Sequence, residues 1–137
     1  MVSKEKCGFL DKDDSVLLVI DMQNKFKPVI FKWDSLVKNV NKLVKSFNVL
    51  KVPIITTEQY PKGLGKTVED VKKNIVDYTP IEKNEFSCFG NKQFLNKLKK
   101  LNKKNIIICG IEAHVCVINT LFDALLDGFN VHLVVDA

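Results

Sequence analysis

A chain of 137 residues that is 46% apolar and 27% charged has the size and balance of one globular domain, with no low-complexity segment. No apolar run approaches the ~18–20 residues of a bilayer-spanning helix, and the opening MVSKEKCGFLDKDD lacks an apolar signal core. Neither a membrane nor secretion is expected, and the expected address is cytoplasmic. The net charge of +5 rests on 21 lysines without a single arginine, which removes the guanidinium fork that reads bases and clamps phosphates. Nucleic acid is not an expected partner.

Residues 1–14 read as a polar lead-in to a domain over 15–137. Val16–Ile20 (VLLVI) is a continuous apolar run, the pattern of a strand buried on both faces of a parallel sheet. Asp21-Met22-Gln23-Asn24 follows it. Asp34 or Ser35 is the expected cap of a helix that carries Leu36, Val37, Val40, Leu43, Val44, Phe47 and Leu50 on one face. Pro53 opens a second strand over Ile54–Thr57, and Glu58–Lys66 (EQYPKGLGK) has the proline and glycines of a loop. Its glycines do not have dinucleotide-fingerprint spacing. Thr67–Asp70 resembles a capping box for a short helix through Ile75, and Thr79–Lys83 is a short third strand. A helix from about Asn91 to Leu101 buries Phe94, Leu95, Leu98 and Leu101, so the lysine-dense stretch Lys97–Lys104 is its solvated face and end. Ile106–Cys109 is the fourth strand. After Gly110 the apolar positions Val115, Ile118, Leu121, Phe122 and Leu125 are helix-spaced up to Gly128, and Val131–Val135 is a fifth strand.

Alternation of strands and helices points to an α/β fold, a doubly wound parallel sheet of order 3-2-1-4-5 with helices on both faces. In that order the first and fourth strands adjoin at the switch point, where open α/β sheets bind their ligands. Asp21 follows the first strand and Cys116 comes shortly after the fourth. Alone, Asp21 has a lesser alternative as a turn or cap, and Cys116 reads equally as a small core residue. Their convergence on one crevice favours chemistry. At the first turn of a helix, Cys116 is expected to have a lowered pKa from the helix dipole.

The four cysteines, Cys7, Cys88, Cys109 and Cys116, form no C-x-x-C pair and are expected as free thiols. His114 and His132 are the only histidines and sit in different elements, so no metal site is expected. Lys83 does not stand out among 21 lysines.

Four segments in order, LLVIDMQNKF, TTEQYPKGLG, EKNEFSCF and CGIEAHVCVINT, resemble the isochorismatase-like cysteine hydrolases. The second and the last look closest to the isochorismatase domain-containing proteins of eukaryotes and their bacterial relatives. The resemblance runs from about Ser15 to Ala137. It implies a catalytic triad on Asp21, Lys83 and Cys116, and an oxyanion hole from the backbone N–H groups of Glu112 and Cys116. It also implies a cis peptide at Ile111–Glu112. The implied activity is a cofactor-free, metal-independent hydrolysis of a small amide-like or other carbonyl substrate through a covalent thioester, by a homo-oligomer. The alternatives are a catalytically silent binding or scaffold protein, or an isochorismate-type hydrolase.

Three departures qualify the resemblance. The EQYPKGLG region lacks the histidines of metal-bearing nicotinamidases, and the presence of Cys116 tilts away from vinyl-ether hydrolysis. The sixth strand and covering helices usual after VVDA are missing. Phe26, Trp33, Tyr60 and Phe89 are aromatic candidates for a pocket lining and read equally as core.

Overall fold

The computed structural model describes residues 9–137; Cys7 and the first part of the lead-in lie outside the described residues. Five strands form one all-parallel sheet in the order β3-β2-β1-β4-β5. They are β1 (Ser15–Ile20), β2 (Ile54–Gln59), β3 (Ile81–Lys83), β4 (Asn105–Gly110) and β5 (Asn130–Leu133). β1 is central and every one of its residues is buried, which is why its sequence shows no polar alternation. It pairs with β4 from Ser15↔Asn105 to Ile20↔Gly110.

The helices are α1 (Trp33–Val49), α2 (Pro61–Leu64), α3 (Glu69–Lys72), α4 (Lys92–Leu101) and α5 (Ile118–Leu126). Alternate strand residues divide the core into two layers. Leu17, Val19, Ile107 and Cys109 pack with Val40 and Val44 of α1 and Val71 of α3. Val16, Leu18, Ile106 and Ile108 pack on the other face with Phe94 and Leu98 of α4 and Ala124 of α5. No helix among the described residues is long and apolar enough to cross a membrane.

Several boundaries differ from the sequence expectations. α1 begins at Trp33 rather than after an Asp34 or Ser35 cap, because the buried Trp33 side chain anchors its first turn; Lys32 precedes it without a side-chain cap. β2 runs two residues further than expected, through Glu58 and Gln59. Both pair in register with β3 (Glu58↔Glu82, Gln59↔Lys83), and both polar side chains find hydrogen-bond partners. The remaining loop contains the single turn of α2. β3 is shorter than expected and starts after Pro80, which has no N–H to donate to a ladder. α3 ends at Lys72, short of Ile75.

The connection after β4 departs most. Residues Ala113–Val117 form a five-residue π-type turn, with the Val117 N–H donating to the Glu112 carbonyl at 3.2 Å, and α5 starts only at Ile118. Cys116 therefore lies in the π turn and not in the first turn of an α-helix. Gly110 makes the exit from β4 possible. Its φ of +109° and the approach of Ile20 leave no room for a side chain, since a Cβ there would lie 2.1 Å from the Ile20 carbonyl oxygen.

Candidate active site

β1 and β2 deliver the acidic part of the site. Asp21 takes a left-handed conformation (φ 52°) where β1 ends, its N–H donating to the Thr57 carbonyl at 3.2 Å. This turn points a fully buried carboxylate along the carboxyl edge of the sheet. Thr57 Oγ1 donates to Asp21 Oδ1 at 2.7 Å, and Lys83 Nζ donates to Asp21 Oδ2 at 2.9 Å. Both side chains of the ion pair are shut away from solvent, at 0% and 1% exposure.

Lys83 ends β3, and the three N–H groups of its ammonium are shared among four acceptors: Asp21 Oδ2, Gln59 Oε1 at 2.6 Å, and the carbonyls of Glu85 and Phe86 at 3.2 and 3.3 Å. Burial alone pulls its pKa down. Burial is the largest single influence, but the Asp21 charge and hydrogen bond, together with the nearby Cys88 and Cys116 sulfurs, jointly outweigh it, so the net shift is upward and the ammonium stays charged.

Cys116 joins the group through the same amide: its Sγ lies 3.8 Å from Gln59 Oε1. Burial pushes its pKa up to about 12, the Asp21 charge adds to the rise, and Lys83 opposes it. This corrects the expected lowering. A helix dipole favours a thiolate when the thiol sits at a solvated α-helix start, whereas Cys116 precedes α5 and is only 6% exposed. At neutral pH the resting group is a thiol.

The Ile111–Glu112 peptide bond is cis, as the resemblance implies. The Glu112 carbonyl accepts from Val115 and Val117, while its own N–H has no protein acceptor among the described residues. That N–H stands four residues before Cys116.

The four aromatic candidates do not form one lining. Trp33 and the half-buried Phe26 pack in the α1 layer of the core. Phe89 belongs to the other layer, edge-on to Phe94 and Phe129 at 5.3 and 5.9 Å. Tyr60 is exposed, with its ring over Gly63. Gln59 and Thr57 contact the charged groups directly, yet neither was singled out by the sequence. The only signal for Gln59 was its place two residues beyond Thr57 on the same strand face. His132 lies in β5. Among the described residues no group of three or more His, Cys, Asp or Glu side chains is arranged to hold a metal.

A five-stranded parallel α/β sheet with a lysine–carboxylate pair and a cysteine at its switch point defines a Rossmann-like protein with a candidate site on its carboxyl edge. The isochorismatase domain profile matches residues 15–137, and the chain belongs to the isochorismatase family. Isochorismatase family protein 1A of Dictyostelium discoideum is 47% identical over 135 residues, covering 95% of this chain and 65% of that protein. The chain thus spans about 65% of the length of that curated relative. Among solved structures, the MAR1 ribonuclease of Caenorhabditis elegans superposes with a TM-score of 0.86 at 41% identity, covering 93% of this chain and 66% of that one. The YcaC gene product of Escherichia coli, an octameric hydrolase of unknown specificity, superposes with a TM-score of 0.87 at 29% identity, covering 93% and 65%.

Proposed function

We propose that the protein is a metal-independent cysteine hydrolase in which Asp21, Lys83 and Cys116 act together on a small amide-like or other carbonyl substrate. The observation that carries this reading is the buried Lys83–Asp21 pair sharing Gln59 with the Cys116 thiol. Two buried charges are costly to keep for stability alone, and the two lie where the thiol proton must go.

Asp21 takes the thiol proton as sulfur attacks the carbonyl carbon, and Lys83 holds the developing thiolate by charge. The carbonyl π pair moves onto oxygen, which the N–H groups of Glu112 and Cys116 receive. Collapse of the adduct expels the leaving amine or alcohol, which takes the proton from Asp21. Water, deprotonated by Asp21, then attacks the thioester; the acid leaves and the thiol is restored. Because the proton moves between Asp21 and sulfur, reactivity does not wait for hydroxide.

Alkylation of Cys116 by acrylamide, followed by peptide mass spectrometry from pH 6 to 9, tests this. The expected profile is flat in the wild type. In Asp21→Asn it falls at neutral pH and climbs about tenfold per pH unit, as a thiol of raised pKa must. A wild-type rate that climbs with that slope overturns the reading. Turnover of an amide and ester panel, lost in Cys116→Ala, supplies the substrate class. The nematode neighbour's name adds RNA to that panel, and cleavage of RNA by Cys116→Ala as fast as by wild type would place any nuclease activity elsewhere. We also propose a homo-oligomer, supported by the octameric neighbour and checked by light scattering.

A further inference from the structure

We propose that Gln23 is a positioning residue for this site and acts through Gln59; the inference rests on the covalent hydrolase reading above. Gln23 follows β1 by three residues, is fully buried, and touches neither Lys83 nor Cys116 by any hydrogen bond. Its side chain instead closes on the backbone of Gln59 from both ends. Oε1 accepts the Gln59 N–H at 2.8 Å, and Nε2 donates to the Gln59 carbonyl at 2.8 Å. The second Nε2 proton goes to the Gly65 carbonyl at 2.7 Å.

This geometry solves a problem that the strand ends create. Thr57 faces β1 and pairs with the Asp21 N–H, so Gln59, two residues on, also turns its backbone N–H and C=O towards β1. β1 has by then ended and turned away at Asp21. The Gln23 amide supplies the donor and the acceptor that a continuing strand would have supplied, and a primary amide offers both at once from two separate atoms. Unpaired, these two backbone groups would let the end of β2 move.

The far end of Gln59 is fixed separately, with Nε2 donating to the Asn84 carbonyl at 3.0 Å. Held at both ends, Gln59 presents one oxygen to both the Lys83 ammonium and the Cys116 thiol. Gln23 therefore sets where that oxygen stands, and through it the spacing of ammonium and sulfur. The bond to Gly65 adds the loop after α2 to the same clamp, together with Asn24, whose backbone N–H and side chain both donate to the Lys66 carbonyl at 3.0 Å.

A double-mutant cycle tests the inference, read as the Cys116 acrylamide rate and its pH profile well below each variant's melting temperature. Gln23→Met keeps the shape and removes both bonds to Gln59; Gln59→Ala removes the lever. Gln23→Met is expected to slow Cys116 about tenfold or more at pH 7, the size of a sub-ångström to ångström misplacement. Gln59→Ala is expected to slow it similarly, and the double variant to match Gln59→Ala alone. A Gln23→Met protein that melts lower yet keeps the wild-type rate and profile overturns the proposal, as do effects that multiply in the double variant. Should Gln23→Met not fold, Gln23→Glu takes its place in the cycle under the same two outcomes, since it keeps the acceptor for the Gln59 N–H. Asp21→Asn run alongside separates the two readings. If it leaves Cys116 unchanged the hydrolase site itself has failed, and if it slows Cys116 while Gln23→Met does not, only the positioning role has.

Discussion

Replacing Lys83 by methionine should cost far more stability than the loss of one surface lysine, and the structure sets the size of the loss. The Lys83 side chain is 0% exposed and its ammonium sits 2.9 Å from an Asp21 carboxylate that is 1% exposed. Methionine fills most of the volume but leaves that carboxylate without its counter-charge, while the Thr57 hydroxyl still donates to it. Removing one partner of a buried ion pair costs about 3–5 kcal/mol. For a domain of this length that corresponds to a fall of roughly 10–15 °C in melting temperature. The partner variant Asp21→Asn strands the ammonium among neutral acceptors. The double variant Asp21→Asn/Lys83→Met removes both charges together and should lose at least about 2 kcal/mol less than the two single losses combined. Urea unfolding at pH 7, followed by circular dichroism with the slopes compared, measures all four proteins. A Lys83→Met loss below about 1 kcal/mol, or strict additivity in the double variant, would refute the claim that the pair is dry and mutually dependent.

Two further outcomes follow from the same structure. Burial pushes Cys109 up to about 12 and Cys88 up to about 11, so the folded protein holds thiol protons that the unfolded chain releases near pH 9.0. With more protons bound in the native state, stability must fall as pH rises above 9; Cys109 alone contributes a loss of about 1.4 kcal/mol at pH 10 relative to pH 8. Cys109→Ala should flatten that part of the profile in urea titrations at the two pH values, and an unchanged slope would contradict it. Gly110→Ala places a methyl 2.1 Å from the Ile20 carbonyl oxygen at a φ of +109°. It should cost more than about 4 kcal/mol or prevent folding, while Gly128→Ala, at φ +84° but with nothing within 4 Å, should cost only its backbone strain, about 1–2 kcal/mol. Equal melting temperatures for the two variants would be inconsistent with the close approach of β4 to β1.

The sheet was legible because its central strands are apolar without interruption, and strand order alone placed Asp21 and Cys116 in one crevice. The end of β2 was not. Glu58 and Gln59 have the composition of a loop, and they remain in the strand because their side chains find hydrogen-bond partners beyond the strand, although Glu58 Oε2 has none among the described residues and faces only the Lys66 ammonium at 3.5 Å. Glu58, with 0% exposure, accepts from the Thr67 N–H, the Thr67 hydroxyl and the Tyr78 hydroxyl. Burial by itself would raise its pKa, yet those bonds and the nearby Lys66 lower it below the usual carboxylate range. A pattern of apolar spacing carries no information about such bonds. The π turn was hidden for a related reason, since Val115, Ile118 and Leu121 keep helix spacing whether the turn before Ile118 is α or π.

The candidate site divides along the same line. Asp21 and Cys116 could be singled out because topology fixes where strands end. Lys83, one among 21 lysines, was placed only by resemblance, and it is distinguished in the fold by a property sequence does not display: complete burial beside a carboxylate. The reversed pKa of Cys116 has the same origin. A dipole argument uses only the nearest helix, whereas the thiol responds first to burial and then to Asp21, brought from the neighbouring strand. The consequence reaches the chemistry. A cysteine with a depressed pKa would be a standing thiolate, open to any oxidant or electrophile; in the proposed mechanism, one held as a thiol beside Asp21 reacts when a carbonyl is in place to accept the electrons and donors are in place to accept the oxyanion. Under that proposal, selectivity depends on how closely sulfur, carboxylate and ammonium are spaced. That spacing passes through Gln59, and Gln59 is held on its open side by Gln23.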